Sequence, residues 1–65
     1  MNSDQFEGKW HEVKGGLRSK WGKLTDDVVE QIDGKREKLI GEIQSRYGKS
    51  KEEARQEVED YIDTL

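Results

Sequence analysis

Apolar residues in this 65-residue chain occur only singly or in pairs, and along most of its length they recur every three or four positions. That spacing lines one side of an α-helix, and no stretch alternates apolar with polar as a half-buried strand does, so the chain reads as all-α. Phe6, Trp10, Val13, Leu17 and Trp21 fall within an arc of about 80° on a helical projection, the stripe of one helix facing one partner. Asn2, Ser3 or Asp4 is placed to cap its start, and Gly22 to supply the left-handed residue just past its end.

Thr25 followed by Asp26 and Asp27 has the form of an N-cap with acids in the first turn, where their charge meets the positive end of the helix dipole. Val28, Val29 and Ile32 give this second helix a short apolar face, and Gly34 ends it. A third helix is expected from about Lys35 to Tyr47, with Leu39, Ile40, Ile43 and Tyr47 on one side and Gly48 as its stop. Ser50-Lys51-Glu52-Glu53 fits a capping box, in which the serine oxygen and the glutamate three residues on each satisfy the other's backbone N–H. Ala54, Val58, Tyr61, Ile62 and Leu65 carry the apolar face of this fourth helix to the C-terminus.

The halves of the chain resemble one another. Residues 7–32 align without gaps on residues 33–58, pairing Gly8/Gly34, Lys9/Lys35, Gly15/Gly41, Ser19/Ser45, Gly22/Gly48 and Lys23/Lys49 as identities. Val13/Leu39, Leu17/Ile43, Trp21/Tyr47, Val28/Ala54 and Ile32/Val58 pair conservatively. The architecture this implies is four helices in two αα-hairpins, an internal duplication in which each hairpin buries its stripe against the other.

So short a domain buries only about 60% of its unfolded surface, which leaves room for one core and none for a deep substrate cleft. With no cysteine, neither a disulfide nor a thiolate metal site staples the fold. No apolar run is long enough for a membrane span or a secretory leader, so the expectation is a monomer in the cytoplasm. Charged residues make up 42% of the chain and mean hydropathy is −1.20. The charge is uneven: residues 1–24 sum to +2 and residues 25–65 to −5. The first helix holds the basic share, Lys9, Lys14, Arg18, Lys20 and Lys23.

Catalytic chemistry finds no footing. His11, the one histidine, points about 100° away from Glu12 on a helix, so the pair is no acid–base couple. Ser3, Ser50 and Thr25 serve as caps, with no base spaced to activate them. The carboxylates Glu52, Glu53, Glu57, Glu59, Asp60 and Asp63 lack the glycine turn of a calcium loop and read as a solvated face. The turns Gly22-Lys23 and Gly48-Lys49 lack the longer glycine run of a phosphate-binding loop. Trp10 and Trp21 share the buried stripe, which sets them in the core rather than on a membrane surface. No catalytic, cofactor-binding or metal-ligating residue is assigned.

The glycines are the unusual feature. Gly8, Gly15 and Gly22 are spaced by seven, as are Gly34, Gly41 and Gly48, and on a helical projection they face away from the apolar stripe. Core packing therefore does not account for Gly8, Gly15, Gly16 and Gly41, each of which costs its helix about 0.5–1 kcal/mol relative to alanine.

The segments Phe6-Glu7-Gly8-Lys9-Trp10, Lys14-Gly15, Lys20-Trp21-Gly22-Lys23-Leu24-Thr25-Asp26-Asp27, Gly34-Lys35-Arg36 and Arg46-Tyr47-Gly48, with Met1-Asn2, resemble the CsbD-like family of small bacterial stress-response proteins. The resemblance covers nearly the whole chain. It implies two αα-hairpins packed crosswise, expression under general or osmotic stress, no established biochemical activity and no catalytic residues to transfer. Two function classes follow. One is a non-enzymatic stress protein acting by solvation, shielding or loose partner contact; the other is a binding module whose basic first helix contacts nucleic acid or an acidic partner.

Overall fold

The first apolar stripe is carried by two helices rather than one. The computed structural model describes residues 3–65, with side chains from Gln5 onward, and contains α1 (Ser3–Gly8), α2 (Trp10–Lys20), α3 (Asp26–Ile32), α4 (Arg36–Tyr47) and α5 (Lys51–Asp63). Among the described residues there is no strand. The cap expected from the side chain of Asn2, Ser3 or Asp4 lies outside the described part, as does Met1-Asn2 of the resemblance.

Gly8 and Lys9 make the break. Glycine holds a helix poorly, and Lys9 leaves helical geometry at φ −103°, ψ 9°. Its N–H is shared between the carbonyls of Gln5 at 3.1 Å and Phe6 at 3.2 Å. Phe6 enters the core completely, whereas Trp10, expected there too, remains half-buried at its rim. The two rings sit 5.8 Å apart. Trp10 instead lies over the turn between α3 and α4, where an added β-carbon at Gly34 would stand 3.5 Å from its Cγ.

The end of α2 also differs from expectation. Gly22 is not left-handed; the chain leaves the helix through Trp21, at φ −126° and ψ 85°, whose N–H closes on Leu17 O at 2.8 Å. This extended exit drops the indole into the core, where it is 2% exposed and meets the Tyr61 ring edge-on at 5.3 Å. Leu24, which belongs to no periodic segment, is buried completely in the following turn.

From Thr25 onward the boundaries follow local chemistry. The Thr25 hydroxyl accepts from Val28 N–H at 3.3 Å, and both bonds of the Ser50/Glu53 capping box form. The α3–α4 turn takes two consecutive left-handed residues, Asp33 at φ 47° and Gly34 at φ 77°, so the stop lies one residue earlier than Gly34 alone. Gly48, at φ 65°, ends α4 in the left-handed conformation, as its position requires. The short turn at Gly48 reverses the chain, and Arg36 at the start of α4 reaches Glu59 late in α5 at 2.9 Å, so α4 and α5 run antiparallel. They form the most extensive helix pair, and α1 and α3 also pack on α4. The core gathers Phe6, Val13, Leu17, Leu24, Ile32, Leu39, Ile43, Val58 and Ile62 among others, with no buried polar or charged residue among those described. Leu65, expected on the α5 stripe, is 41% exposed because the helix has already ended at Asp63.

Candidate functional site

The basic residues of the first third separate into two groups once folded. Midway along α2, Lys14 pairs with Glu30 at 3.2 Å and Arg18 with Asp26 at 2.7 Å, both acids contributed by α3. These exposed pairs add little stability, yet they counter two of the five basic side chains of the first third. Nearer its end, Lys20 places its ammonium 5.9 Å from the Trp21 ring, and Lys23 lies 5.0 Å from the Tyr47 ring. Neither makes an ion pair among the described residues, and Lys9 is exposed.

The two Gly-Lys turns meet each other. Lys23 N–H donates to the Tyr47 hydroxyl at 3.0 Å, and Arg46 Nη1 donates back to the Lys23 carbonyl at 3.4 Å. Beside this contact the Trp21 indole N–H donates to Glu57 Oε1 at 3.2 Å, while the Lys49 ammonium pairs with the other carboxylate oxygen. The bond from Lys49, aided by that from Trp21, holds the Glu57 carboxyl below its usual range, and the same bond raises Lys49. Each turn alone lacks the glycine run of a phosphate loop. Their juxtaposition depends on how the helices pack, which no local signal carries.

The glycine face divides as well. At Gly8, Gly15 and Gly41 a β-carbon would find nothing within 4 Å, and Gly41 helps line a shallow groove of about 430 Å³ with Gln31, Ile32, Lys38 and Glu42. Gly16 is different. A β-carbon there would stand 2.5 Å from the Tyr61 hydroxyl, which donates to Val13 O at 2.8 Å. Packing accounts for Gly16 after all, because the stripe of α2 is wider than its apolar residues alone describe. Burial raises the Tyr61 phenol, partly countered by the Gly16 backbone beside it.

The carboxylates of α5 hold short-range partners. Glu52 and Glu59 pair with Arg55 at 2.7 and 3.0 Å, Glu53 closes the capping box, and Gln56 donates to Asp60 at 2.9 Å. Arg55 and the Ser50 cap hold Glu52 and Glu53 below the usual range. His11 is exposed. Among the described residues no cluster of three or more His, Cys, Asp or Glu is placed to hold a metal ion, and no helix is long and apolar enough to cross a membrane.

No solved structure matches the chain. A UPF0337 protein of Pseudomonas aeruginosa is 51% identical over the full length of both chains. One from Protochlamydia amoebophila is 51% identical over 97% of this chain and 96% of its own, and one from Rhizobium meliloti 54% over 94% and 88%. The family model described as CsbD-like matches residues 4–56, which include both Gly-Lys turns and the capping box, and with full-length relatives at this identity the chain belongs to the CsbD-like family.

Proposed function

We propose that this protein is a non-enzymatic general stress-response protein of the cytoplasm, a monomer that acts through its hydrated surface by shielding other macromolecules or contacting them loosely. The observation that carries the reading is the division of the fold: one small core with no polar or charged member, beneath a surface that holds nearly all of a 42% charged composition. Such a surface binds water strongly and resists association when solvent is scarce. Family membership supports the same reading.

The test pairs cells with a tube. A deletion strain should lose survival after osmotic upshift and regain it with the intact gene. The purified protein should preserve a drying-sensitive enzyme in proportion to added mass, without a saturating stoichiometry. Protection no better than an equal mass of serum albumin, together with a deletion strain of normal survival, overturns the proposal.

Within this reading the architecture is a duplicated, crosswise pair of hairpins, with α1 and α2 as the halves of one broken helix. The support is positional: all five conservative pairs of the internal alignment, Val13/Leu39 through Ile32/Val58, lie in the core or, for Tyr47, against it.

A further inference from the structure

The end of the molecule where the two Gly-Lys turns meet carries a basic patch that neither segment shows alone. Lys23 extends its ammonium to 3.4 Å from the Arg46 carbonyl, and Arg46 reaches back to the Lys23 carbonyl. On the other flank Lys49 pairs with Glu57, which accepts from the Trp21 indole N–H, and the Lys20 ammonium lies 5.9 Å from that indole ring. Lys20, Lys23, Arg46 and Lys49 thus form one contiguous group, countered by Glu57, by Glu42, which pairs with Arg46 at 2.8 Å, and by Glu53, whose charge bears on Lys49. Midway along α2 the charges of Lys14 and Arg18 are spent on Glu30 and Asp26, whereas Lys20 and Lys23 make no ion pair among the described residues, so the unpaired positive charge of this pole is theirs.

We infer that this pole is a docking surface for the phosphodiester backbone of a nucleic acid, a contact beyond the protective reading and independent of it. Separate cations drawn from the ends of α2 and α4 and from the turns that follow them, held in register by the Lys23 to Tyr47 and Trp21 to Glu57 bonds, suit a ladder of single charges. An anionic membrane fits less well. Entry into a lipid interface needs exposed aromatic or aliphatic side chains; here Trp21 is buried, the Tyr47 hydroxyl is engaged, and Leu65, the exposed large apolar residue among those described, lies beyond the far end of α5. With few cations at the patch, and with the Arg46 guanidinium engaged by Glu42 and the Lys23 carbonyl, the contact is weak, independent of sequence and sensitive to salt.

The test is fluorescence anisotropy of a labelled mixed-sequence duplex of about 20 base pairs, titrated with the full chain from about 20 to 200 mM salt. Saturable binding is expected at the low end, with a slope of log affinity against log salt of roughly −2 to −4. Lys20→Gln/Lys23→Gln should reduce that slope by about 2 and weaken binding at least about tenfold at low salt, whereas Lys14→Gln/Arg18→Gln should change affinity by less than about twofold. Both doubles replace exposed side chains, so unchanged helical circular dichroism is expected and checked. Absence of saturable binding at low salt, equal losses in the two doubles, or binding to phosphatidylserine vesicles that the duplex does not compete away each overturns the inference.

Discussion

Gly16 offers the sharpest test of the packing, because two adjacent glycines of one helix should respond to the same substitution with opposite sign. At Gly15 a methyl group enters open space, and Gly15→Ala should stabilise by about 0.5–1 kcal/mol through helix propensity. At Gly16 the same gain is opposed by the Tyr61 hydroxyl, 2.5 Å from the new carbon. Tyr61 cannot easily yield, since its ring is wedged against Trp21 and its hydroxyl is bonded to Val13 O. Overpacking of this kind costs about 1–3 kcal/mol, so Gly16→Ala should be destabilising by up to about 2 kcal/mol net. Removing the oxygen relieves the clash, because the next ring atoms stand at 3.5 and 3.6 Å, ordinary contact distances. In a Tyr61→Phe background, itself weakened by about 1 kcal/mol for the lost hydrogen bond, Gly16→Ala should turn neutral or stabilising. Thermal melts of the four proteins in the cycle read this directly, as 1 kcal/mol moves the midpoint by about 4–8 °C in a domain of this size. A Gly16→Ala variant that gains as much as Gly15→Ala would refute the reasoning and remove Tyr61 from the α2 surface.

Gly41→Ala, also into open space, should add its own 0.5–1 kcal/mol, so that the Gly15→Ala/Gly41→Ala double melts higher by roughly the sum; a lower melt refutes the open geometry. Trp21→Ala should cost about 3–5 kcal/mol and nearly abolish the cooperative melt, whereas half-buried Trp10→Ala should leave one, at a lower midpoint. The folded Glu57 carboxyl titrates below its unfolded counterpart, so its contribution is present above the usual glutamate range and lost as pH falls through the depressed folded value; urea midpoints should therefore drop as pH falls through and below the usual glutamate range, less steeply in Glu57→Gln. Peptides of residues 1–33 and 34–65 should each be largely unstructured alone and gain helical circular dichroism on mixing, since each half leaves its stripe without a partner.

What the sequence determined by itself is everything that rests on neighbours along the chain. The period of Val13 and Leu17, or of Val58 and Ile62, states a helix and the side it buries, and the Thr25 and Ser50 caps form because donor and acceptor lie three residues apart. Gly48 is equally local, a left-handed stop wherever the rest of the chain goes. The family likeness, too, was carried by short motifs. Tertiary structure decided what depends on distant partners. An unbroken period from Phe6 to Trp21 does not reveal that Gly8 and Lys9 break the helix, since the break lets Phe6 reach the core and Trp10 cover Gly34, 24 residues away in sequence. Leu24 has no period to announce its burial, and Trp21 takes the exit expected of Gly22 because Tyr61 and Glu57 wait on the other side. Gly16 and the meeting of the two Gly-Lys turns belong to the same class. A helical projection says which direction a residue faces, but only the packed fold says whether α5 or solvent stands there, because contact energies act between surfaces that the chain order does not bring together.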